Sequence, residues 1–503
     1  MSQLRRQAVI DLGSNSVRML IVEADQEGRW RVIDEARALL RLGECLSRHG
    51  SLAPLLGAAS WLLGSWAARA RQLGVDGVAA VGTAALRTAP DGADFARALE
   101  RSSGIPLRII GGEEEARLGF LGALGSLELG EGHLIDLGGA STEISTFRDR
   151  SLERAISLPL GSVTLGRRFF KADPPTPAQL EAAERAARKA VQKLVPDPRP
   201  GLPLVAIGGS FRSLAKIQQR ASAYPFPSLH NYQMAPAALD ALYQRLARLP
   251  FRQRRRLPGL AAHRAETVLS ALTLARAVSA WLEPSLIVIS GAGLREGLLL
   301  EQLPAAARPG PGQLLPDSVR NLLFQLGERP NPSLAALTGA LARALAPLLP
   351  ESAWPLLLAA ADLRGVGRRV NFYDRHPETF YLITHARLFG LSHPEQVVLA
   401  AAAGYEGPHR LAQSLRPYAR LLGPADGALA ARLGLLVAYA EALLQRALPA
   451  QVELTALVSA KEIALTVRGM PEPPAIPYDD LDRLSAHFAK VFGRRLHRRY
   501  LPA

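Results

Sequence analysis

Two stretches of the sequence share the residues Asp-Leu-Gly and could take part in phosphate chemistry. Residues 8–23 read AVIDLGSNSVRMLIVE, and residues 133–147 read HLIDLGGASTEISTF. Each is an apolar strand, a turn of small residues and a second alternating strand, which is the pattern of a β-hairpin. Glycine in such a turn permits positive φ angles and close approach of the backbone, so successive N–H groups can bind an anion.

Each hairpin also carries an acidic residue at the end of its first strand, Asp11 in one and Asp136 in the other. Two such turns are expected to form the two sides of a cleft that binds a phosphate between them. Carboxylate oxygens are ligands that hard divalent cations prefer. We therefore predict an anion site at which a cation can lie between the two carboxylates.

A third stretch, GGEEEARLGF, places three glutamates in the first turn of a predicted helix. Acidic residues there stabilise a helix through its dipole, so any one of them could have a purely structural role. Helical spacing points Glu113, Glu114 and Glu115 in different directions, and Glu115 is free to face a cleft. A carboxylate crowded by others has a raised pKa, which suits a general base that activates water.

The composition limits the class of partner. The 503 residues include 60 basic and 45 acidic side chains, a formal net charge of +15, which favours an anionic partner. A GC-rich genome would also enrich arginine and alanine. The basic residues are spread along the chain without zinc-ligand spacing, a basic zipper or an aromatic RNA-binding pattern, so we predict no dedicated nucleic-acid site.

The same composition bears on the compartment. The single cysteine, Cys45, cannot form an intrachain disulfide. No apolar run reaches the ~20 residues that a membrane helix needs, and the first residues lack the pattern of a signal peptide. We expect a soluble, cytoplasmic protein with no membrane partner.

The elements that must position these residues alternate along the chain. Strand patterns lead into glycine turns and helical periods, for example at Gly208, Gly209 and Ser210. This order is typical of an open α/β sheet, which binds ligands at the carboxyl ends of its strands. After the Pro- and Gly-rich stretch AARPGPGQLLP the periodicity is mainly helical, with a β signal at 452–469. The length predicts about three domains.

Eight motifs in order carry a family resemblance: IDLGSNS, VGTAALR, GGEEEARLGF, IDLGGASTE, LPLGSVTL, AIGGSFR, LPGL and GLREGLL. They resemble the exopolyphosphatase and guanosine pentaphosphate phosphohydrolase (Ppx/GppA) family of the actin-like ATPase superfamily, most of all a long-form exopolyphosphatase. The resemblance implies an α/β fold with two ribonuclease-H-like domains, 1–128 and 129–305, that face a cleft. It also implies a mainly helical, HD-like C-terminal region, 306–503, with a possible small α+β end at 450–503.

The resemblance gives each candidate residue a role. Glu115, with Arg87 and Glu114 beside it, matches the catalytic group, in which a glutamate activates water to attack a terminal phosphate and Arg87 clamps the phosphoryl group. Asp11, Asp136 and Glu143 match the residues close to the divalent metal, Mg²⁺ or alternatively Mn²⁺. The phosphate-binding positions are Gly13, Ser14, Asn15, Ser16, Gly138, Gly139, Ala140, Ser141, Gly208, Gly209 and Ser210.

In the C-terminal region, residues LLLAAADLRGVGRRVNFYDRHPETFYLI resemble the helical core of the HD phosphohydrolase fold. Arg364 and Gly365 stand where a metal-binding version carries His-Asp or His-Glu, and Glu406 stands where a further histidine is expected. We therefore expect no second metal hydrolase site there. The region is expected to bind polyphosphate and to dimerise the chain.

These residues leave several functions open. We expect processive hydrolysis of the terminal phosphate of inorganic polyphosphate by a homodimer. Hydrolysis of guanosine pentaphosphate (pppGpp) at its 5′ end is the alternative on the same fold. An actin-like or sugar-kinase ATPase fits less well, because the Glu115 motif belongs to the hydrolase branch. A polyphosphate-binding protein without activity would have no use for the paired acidic strand ends.

Overall fold

The computed structural model describes residues 4–445, 452–469 and 480–501. The chain divides into two units, one of Met1–Tyr224 and Ser228–Leu314 and the other of Pro225–Pro227 and Leu315–Ala503. The first unit is α/β and the second is mainly helical, which confirms the predicted fold class. The three-domain boundaries stay a prediction.

The first sheet contains the hairpin that carries Asp11. Its strands are β1 (Arg5–Leu12), β2 (Val17–Ala24), β3 (Trp30–Ala38), β4 (Gly77–Gly82) and β5 (Leu107–Ile109). They lie in the order β3-β2-β1-β4-β5, with β1, β2 and β3 antiparallel and β1, β4 and β5 parallel. The helices that accompany this sheet are α1 (Leu42–His49), α2 (Leu56–Gln72), α3 (Ala84–Thr88), α4 (Gly92–Ser103) and α5 (Gly112–Leu124).

The second sheet repeats this arrangement. Its strands are β6 (Gly132–Leu137), β7 (Thr142–Arg148), β8 (Ser151–Leu158), β9 (Leu204–Ile207), β10 (Tyr232–Met234) and β11 (Ile287–Ile289). Their order, β10-β11-β9-β6-β7-β8, matches the first sheet from β8 to β11, and β10 adds an antiparallel edge. The helices are α6 (Ser162–Phe169), α7 (Pro177–Leu194), α8 (Gly208–Ala221), α9 (Ala237–Leu246), α10 (Phe251–Arg254), α11 (Val268–Leu282) and α12 (Leu294–Gln302). The duplication predicted for the hairpin therefore extends to the whole sheet.

The central strands of both sheets are buried on both faces. Ala8, Val9 and Ile10 of β1 and all four residues of β9 are buried, as expected for parallel strands that helices cover on both sides. Continuous apolar runs therefore fix the strands, and the polar residues Asp11 and Asp136 fall at their carboxyl ends.

Helices α5 and α12 lie in unusually close contact. A Cβ atom added at Gly122 of α5 would lie 2.0 Å from the carbonyl oxygen of Gly293, and one at Gly297 of α12 would lie 1.9 Å from that of Leu118. Only glycine leaves room for this approach of the two backbones. Because Glu115 belongs to α5, this contact helps to fix its position.

The second unit is organised around a long buried helix, α19. Its helices are α13 (Leu314–Leu326), α14 (Pro332–Ala344), α15 (Trp354–Leu363), α16 (Arg375–His385), α17 (His393–Ala403), α18 (Pro408–Leu415), α19 (Asp426–Leu444) and α20 (Asp480–Phe492). Strands β12 (Glu453–Val458), β13 (Glu462–Arg468) and β14 (Arg495–Leu501) form a small sheet in that order. The basic residues after α20 form β14, which pairs in parallel with β13.

Helix α19 is the one helix in the described residues that is long and apolar enough to cross a membrane. Its most apolar window is 61% buried inside the protein. Leu433, Leu436, Tyr439 and Leu443 of this helix belong to the core of the second unit. Packing within the unit therefore accounts for the apolar composition of α19.

The close contact between α5 and α12 can be tested by substitution. Gly122→Ala should lower the free energy of unfolding by about 1–3 kcal/mol, the usual cost of overpacking, because the added methyl group forces the helices apart. Urea denaturation followed by circular dichroism measures this change.

Gly64→Ala in α2 is the matched control. Among the described residues no atom lies within 4 Å of a Cβ added at Gly64. Replacing glycine with alanine in an open helix position should stabilise the protein by about 0.5–1 kcal/mol. An equal gain in stability for both variants would contradict the close contact.

Candidate active site

The two acidic strand ends occupy equivalent positions in the two sheets. Asp11 lies opposite Arg18 across the β1–β2 pair, and Asp136 lies opposite Glu143 across the β6–β7 pair. The duplicated hairpins therefore differ at one informative position, where the first sheet has a guanidinium and the second has a carboxylate.

A tight turn follows each acidic strand. The N–H of Gly13 donates to the carbonyl of Ser16 at 3.2 Å, and the N–H of Gly138 donates to the carbonyl of Ser141 at 3.0 Å. The same local hydrogen bond thus closes both turns, as the repeated Asp-Leu-Gly pattern indicates.

A cavity of about 230 Å³ lies where these turns meet, and we call it the carboxylate cavity. The structure brings most of the predicted site residues to its wall. Those residues are Asp11, Gly13, Ser14, Asn15, Ser16, Glu115, Asp136, Gly138, Gly139, Ser141, Glu143, Gly208 and Gly209.

Four predicted residues lie elsewhere. Arg87 and Ala140 line a neighbouring cavity. Glu114 faces the other way on α5 and accepts a hydrogen bond from Arg108 at 2.8 Å, because consecutive helical residues point about 100° apart. Ser210 is buried in the first turn of α8.

In the Gly-Gly turn between β9 and α8, the backbone of each glycine lies close to a charged side chain. Gly208 has a φ of +90°, and a Cβ there would lie 2.6 Å from Oδ1 of Asp136. A Cβ at Gly209 would lie 2.1 Å from Nη2 of Arg264. A larger residue at either position would displace a charged group from the cavity.

Glu115 is held by an arginine behind it. Nη1 of Arg87 donates to Oε2 of Glu115 at 2.9 Å and to the carbonyl oxygen of Ile110 at 2.8 Å. Burial raises the pKa of Glu115 to about 7, against the lowering effect of Arg87 and with a further increase from Asp136 and Asp11. A carboxyl group with this pKa can both accept and return a proton near neutrality.

The other three carboxyl groups are also shifted upwards. Burial raises the pKa of Asp11 to about 6 and raises that of Asp136. Burial, together with the charges of Glu115 and Asp136, raises the pKa of Glu143 well above its usual value. Oγ of Ser157 donates to Oε1 of Glu143 at 2.8 Å. Perturbed carboxyl groups gathered in one cavity are typical of a catalytic site.

Four arginines that the sequence analysis did not select also line the carboxylate cavity: Arg18, Arg212, Arg264 and Arg295. Burial and the nearby charge of Arg18 lower the pKa values of Arg212 and Arg264 to about 10. Crowded guanidinium groups of this kind attract a polyanion, because an anion relieves their mutual repulsion.

Part of this arginine set could have been found from the sequence. Arg212 follows the Gly-Gly-Ser turn, and Arg295 lies in the GLREG motif. Arg18 occupies the repeat position that Glu143 occupies in the second hairpin. Arg264 lies four residues after the LPGL motif and outside all eight motifs, so the sequence did not single it out.

The carboxylates of the cavity are suitable ligands for a divalent cation, but they do not form a complete coordination shell by themselves. Asp11, Asp136 and Glu143 offer the hard oxygen ligands that Mg²⁺ prefers. Within residues 4–445, 452–469 and 480–501, no three His, Cys, Asp or Glu side chains are close enough to hold a metal by themselves. The residues fit a cation that binds to one or two carboxylates and completes its ligands from a phosphate.

In the second unit, Arg364 lies buried at the end of α15. Its Nε donates to Oε2 of Glu441 at 3.0 Å, and its Nη1 donates to the carbonyl oxygens of Ala403 and Tyr405. Burial and nearby arginines lower the pKa of His376 to about 3. Arg364 therefore has a structural ion pair at the position where the sequence analysis noted a missing metal ligand.

The arrangement in the first unit can bind a polyanion and activate a water molecule. Glycine turns and arginines surround one cavity, and a carboxylate with a pKa near 7 lies in its wall. Charge neutralisation and the placement of one water are the two requirements of phosphoryl transfer to water.

Comparison with known proteins agrees with this chemistry. The profile of the Ppx/GppA phosphatase family matches residues 20–306. Exopolyphosphatase 1 of Mycobacterium tuberculosis is 29% identical over 336 residues, which cover 65% of this chain and 96% of that protein. Exopolyphosphatase 1 of Mycobacterium leprae is 29% identical over 311 residues, covering 60% and 91%.

Solved structures give the same result. The crystal structure of the Aquifex aeolicus member of the Ppx/GppA family has a TM-score of 0.53 and 27% identity, and the match covers 60% of this chain and 98% of that one. An exopolyphosphatase from Cytophaga hutchinsonii has a TM-score of 0.55 at 22% identity, over 59% and 97% of the two chains, which supports the fold alone. The family match covers more than half of the chain and confirms the predicted resemblance, so the chain belongs to the Ppx/GppA phosphatase family and is a phosphoanhydride hydrolase.

Proposed function

We propose that this chain is an exopolyphosphatase, which hydrolyses the terminal phosphoanhydride bond of inorganic polyphosphate and releases orthophosphate. The observation that carries the proposal is the joint placement of Glu115 and four arginines on one cavity wall. The names of the mycobacterial relatives support the same substrate.

The glycine turns and the arginines of the cavity bind the terminal phosphate. The turns that begin at Gly13, Gly138 and Gly208 present backbone next to the cavity, and small residues there allow phosphate oxygens to approach closely. Arg18 and Arg264 are placed to neutralise the negative charge of the polyphosphate. Without this neutralisation, that charge repels an incoming nucleophile.

Glu115 acts as the general base. It accepts a proton from water as the water oxygen attacks the terminal phosphorus, and the bridging oxygen departs with the shortened chain. Arg87 fixes the rotamer of Glu115 through the 2.9 Å hydrogen bond. Its positive charge also keeps the pKa of Glu115 from rising further.

Asp11, Asp136 and Glu143 would hold a divalent cation, Mg²⁺ or Mn²⁺, together with substrate phosphate. When bound, such a cation supplies charge neutralisation and polarises phosphate oxygens. The pKa values of these three groups are raised, and burial is the largest cause in each case. The positive charge around these carboxyl groups therefore does not compensate for their burial.

Hydrolysis of guanosine pentaphosphate is the second candidate, and one observation favours it. A cavity of about 420 Å³ shares Ser14 and Asn15 with the carboxylate cavity. Its wall combines the aromatic rings of Phe170 and Phe251 with the carboxylate of Glu266. Such a lining can stack a purine and accept hydrogen bonds from it.

Other parts of the proposal rest on the sequence and the resemblance. Processivity, a homodimer, a cytoplasmic location and a polyphosphate-binding role for the second unit remain predictions. A soluble protein is consistent with the burial of α19 in the core of the second unit.

The substrate assignment is tested by phosphate release from four compounds: long-chain polyphosphate, tripolyphosphate, guanosine pentaphosphate and ATP. We expect the highest kcat/KM on long-chain polyphosphate. Glu115→Gln should reduce turnover by about 10²- to 10⁴-fold, the usual effect of losing a general base, and should leave polyphosphate binding intact.

Glu114→Gln is the matched control on the same helix. Because Glu114 pairs with Arg108 outside the cavity, this variant should keep nearly normal turnover. A preference for guanosine pentaphosphate would select the second candidate. Equal losses in both variants would remove the special role of Glu115.

The ion pair behind Glu115 gives a pH prediction. Glu115 must be ionised to accept a proton, so kcat/KM should rise with pH and level off above about 7. Arg87→Met removes the group that lowers the pKa of Glu115, so the acid limb should move to higher pH. The measurement is a pH profile with one substrate for all proteins, because the ionisation of the substrate is then the same.

Arg108→Met is the control for this profile. It removes the ion pair between Arg108 of β5 and Glu114 of α5, which does not involve Glu115, so its acid limb should coincide with that of the unmodified protein. An acid limb that stays in place, or moves to lower pH, in Arg87→Met would show that Arg87 does not set the pKa of the base.

The metal assignment predicts reversible loss of activity in excess chelator. Asp136→Asn should raise the Mg²⁺ concentration needed for half-maximal rate by about tenfold or more, the scale on which even outer-shell partners of a metal act. Asp94→Asn, at an exposed position of α4, should leave this concentration unchanged. Full activity in excess chelator would rule out the cation.

A further inference from the structure

A third cavity, of about 530 Å³, lies behind the catalytic pair, and we call it the rear cavity. Arg87 lines it, together with residues that mostly have small or hydroxyl-bearing side chains. The hydroxyl groups belong to Ser47, Thr88, Ser141, Ser157 and Thr164. A cavity of this size with several polar groups can hold water or a small anion.

The rear cavity adjoins the carboxylate cavity. Ala84 and Ser141 line both cavities. Glu115 and Glu143 line the front, and each is hydrogen-bonded from behind by a residue of the rear cavity. These two hydrogen bonds therefore link the walls of the two cavities.

The two cavities differ in charge. Four arginines line the carboxylate cavity, whereas among the described residues Arg87 is the only ionisable side chain in the wall of the rear cavity. A long polyanion needs many cationic partners and is held at the front. A single orthophosphate can cross the rear cavity with one arginine and a few hydroxyl groups as partners.

The rear cavity also reaches solvent. Ser47, Thr88 and Pro159 line it and are exposed at the protein surface. These residues form its mouth. A molecule that enters from the side of Glu115 can thus leave without passing through the carboxylate cavity.

We propose that the rear cavity is the exit route of orthophosphate and that Arg87 binds orthophosphate as it enters this route. This inference rests on the proposed function, because it requires a product orthophosphate. If the shortened chain stays bound at the front, the product at the Glu115 end has to leave by another route. The rear cavity begins at that end.

The chemistry of the reaction couples release to proton transfer. The water oxygen forms a bond to the terminal phosphorus, the bond to the bridging oxygen breaks with its electron pair on the shortened chain, and the proton of water passes to Glu115. Protonated Glu115 has lost the charge that pairs with Arg87, so the guanidinium can bind orthophosphate. When Glu115 gives its proton to orthophosphate, the ion pair forms again and the product is released.

Substitution at the mouth tests this route without touching the reacting groups. Ser47→Trp should block the exit, and Ser47→Ala is the matched control at the same exposed position. Rapid quench measures the first cleavage of long-chain polyphosphate, and a fluorescent phosphate sensor measures release. We expect first-turnover cleavage within about twofold of normal in Ser47→Trp and steady-state release slower by about tenfold, because product release limits turnover.

Thr88→Trp is a second variant at the mouth, on α3 rather than α1, and should give the same pattern. Normal release in both tryptophan variants, or equal slowing of cleavage and release, would overturn the exit route. Absence of first-turnover cleavage in the unmodified protein would instead contradict the proposed function. The two failures are therefore distinguishable in one experiment.

Discussion

The burial of four carboxyl groups in one cavity is the constraint on which the site depends. Asp11, Asp136, Glu115 and Glu143 share the wall of one cavity, and burial raises the pKa of each. Isolated buried charges of one sign are costly. The arginines around the cavity, a bound cation and the ionic substrate are the groups that can offset this cost.

The duplicated fold meets this constraint by making its two halves different. Both sheets place an aspartate at the end of the central strand, but the residue opposite it is Arg18 in the first sheet and Glu143 in the second. At this position the first half therefore contributes a positive charge and the second half an additional carboxyl group. A symmetric pair of hairpins would have placed the two aspartates opposite either two glutamates or two arginines.

Local patterns in the sequence predicted the parts of the site that short segments determine. Asp11, Asp136 and the glycine turns follow from strand and turn signals within about ten residues, and the structure closes both turns with the same hydrogen bond. Helical spacing predicts that Glu114 and Glu115 point in different directions, and the family resemblance selected Glu115 as the base. These features need no knowledge of the tertiary fold.

The parts that the sequence did not predict depend on contacts between distant segments. Arg264 reaches the cavity because the backbone at Gly209 leaves space for its guanidinium. Gly122 is required by the carbonyl of Gly293, which lies more than 150 residues away in the chain. The basic residues after α20 form β14 because β13 offers an edge for pairing. No periodicity within these segments indicates such partners.

The raised pKa values also connect catalysis with stability. A carboxyl group whose pKa is higher in the folded state than in the unfolded state favours folding while it is protonated, and this contribution is lost as pH rises through the folded pKa. For Glu115 that loss extends from the ordinary pKa of 4.5 to about 7, so it is nearly complete at the pH where the group must work as a base. The fold must therefore hold Glu115 in place as its charge becomes unfavourable. The glycine contact between α5 and α12 and the hydrogen bond from Arg87 are the two features of the structure that do so.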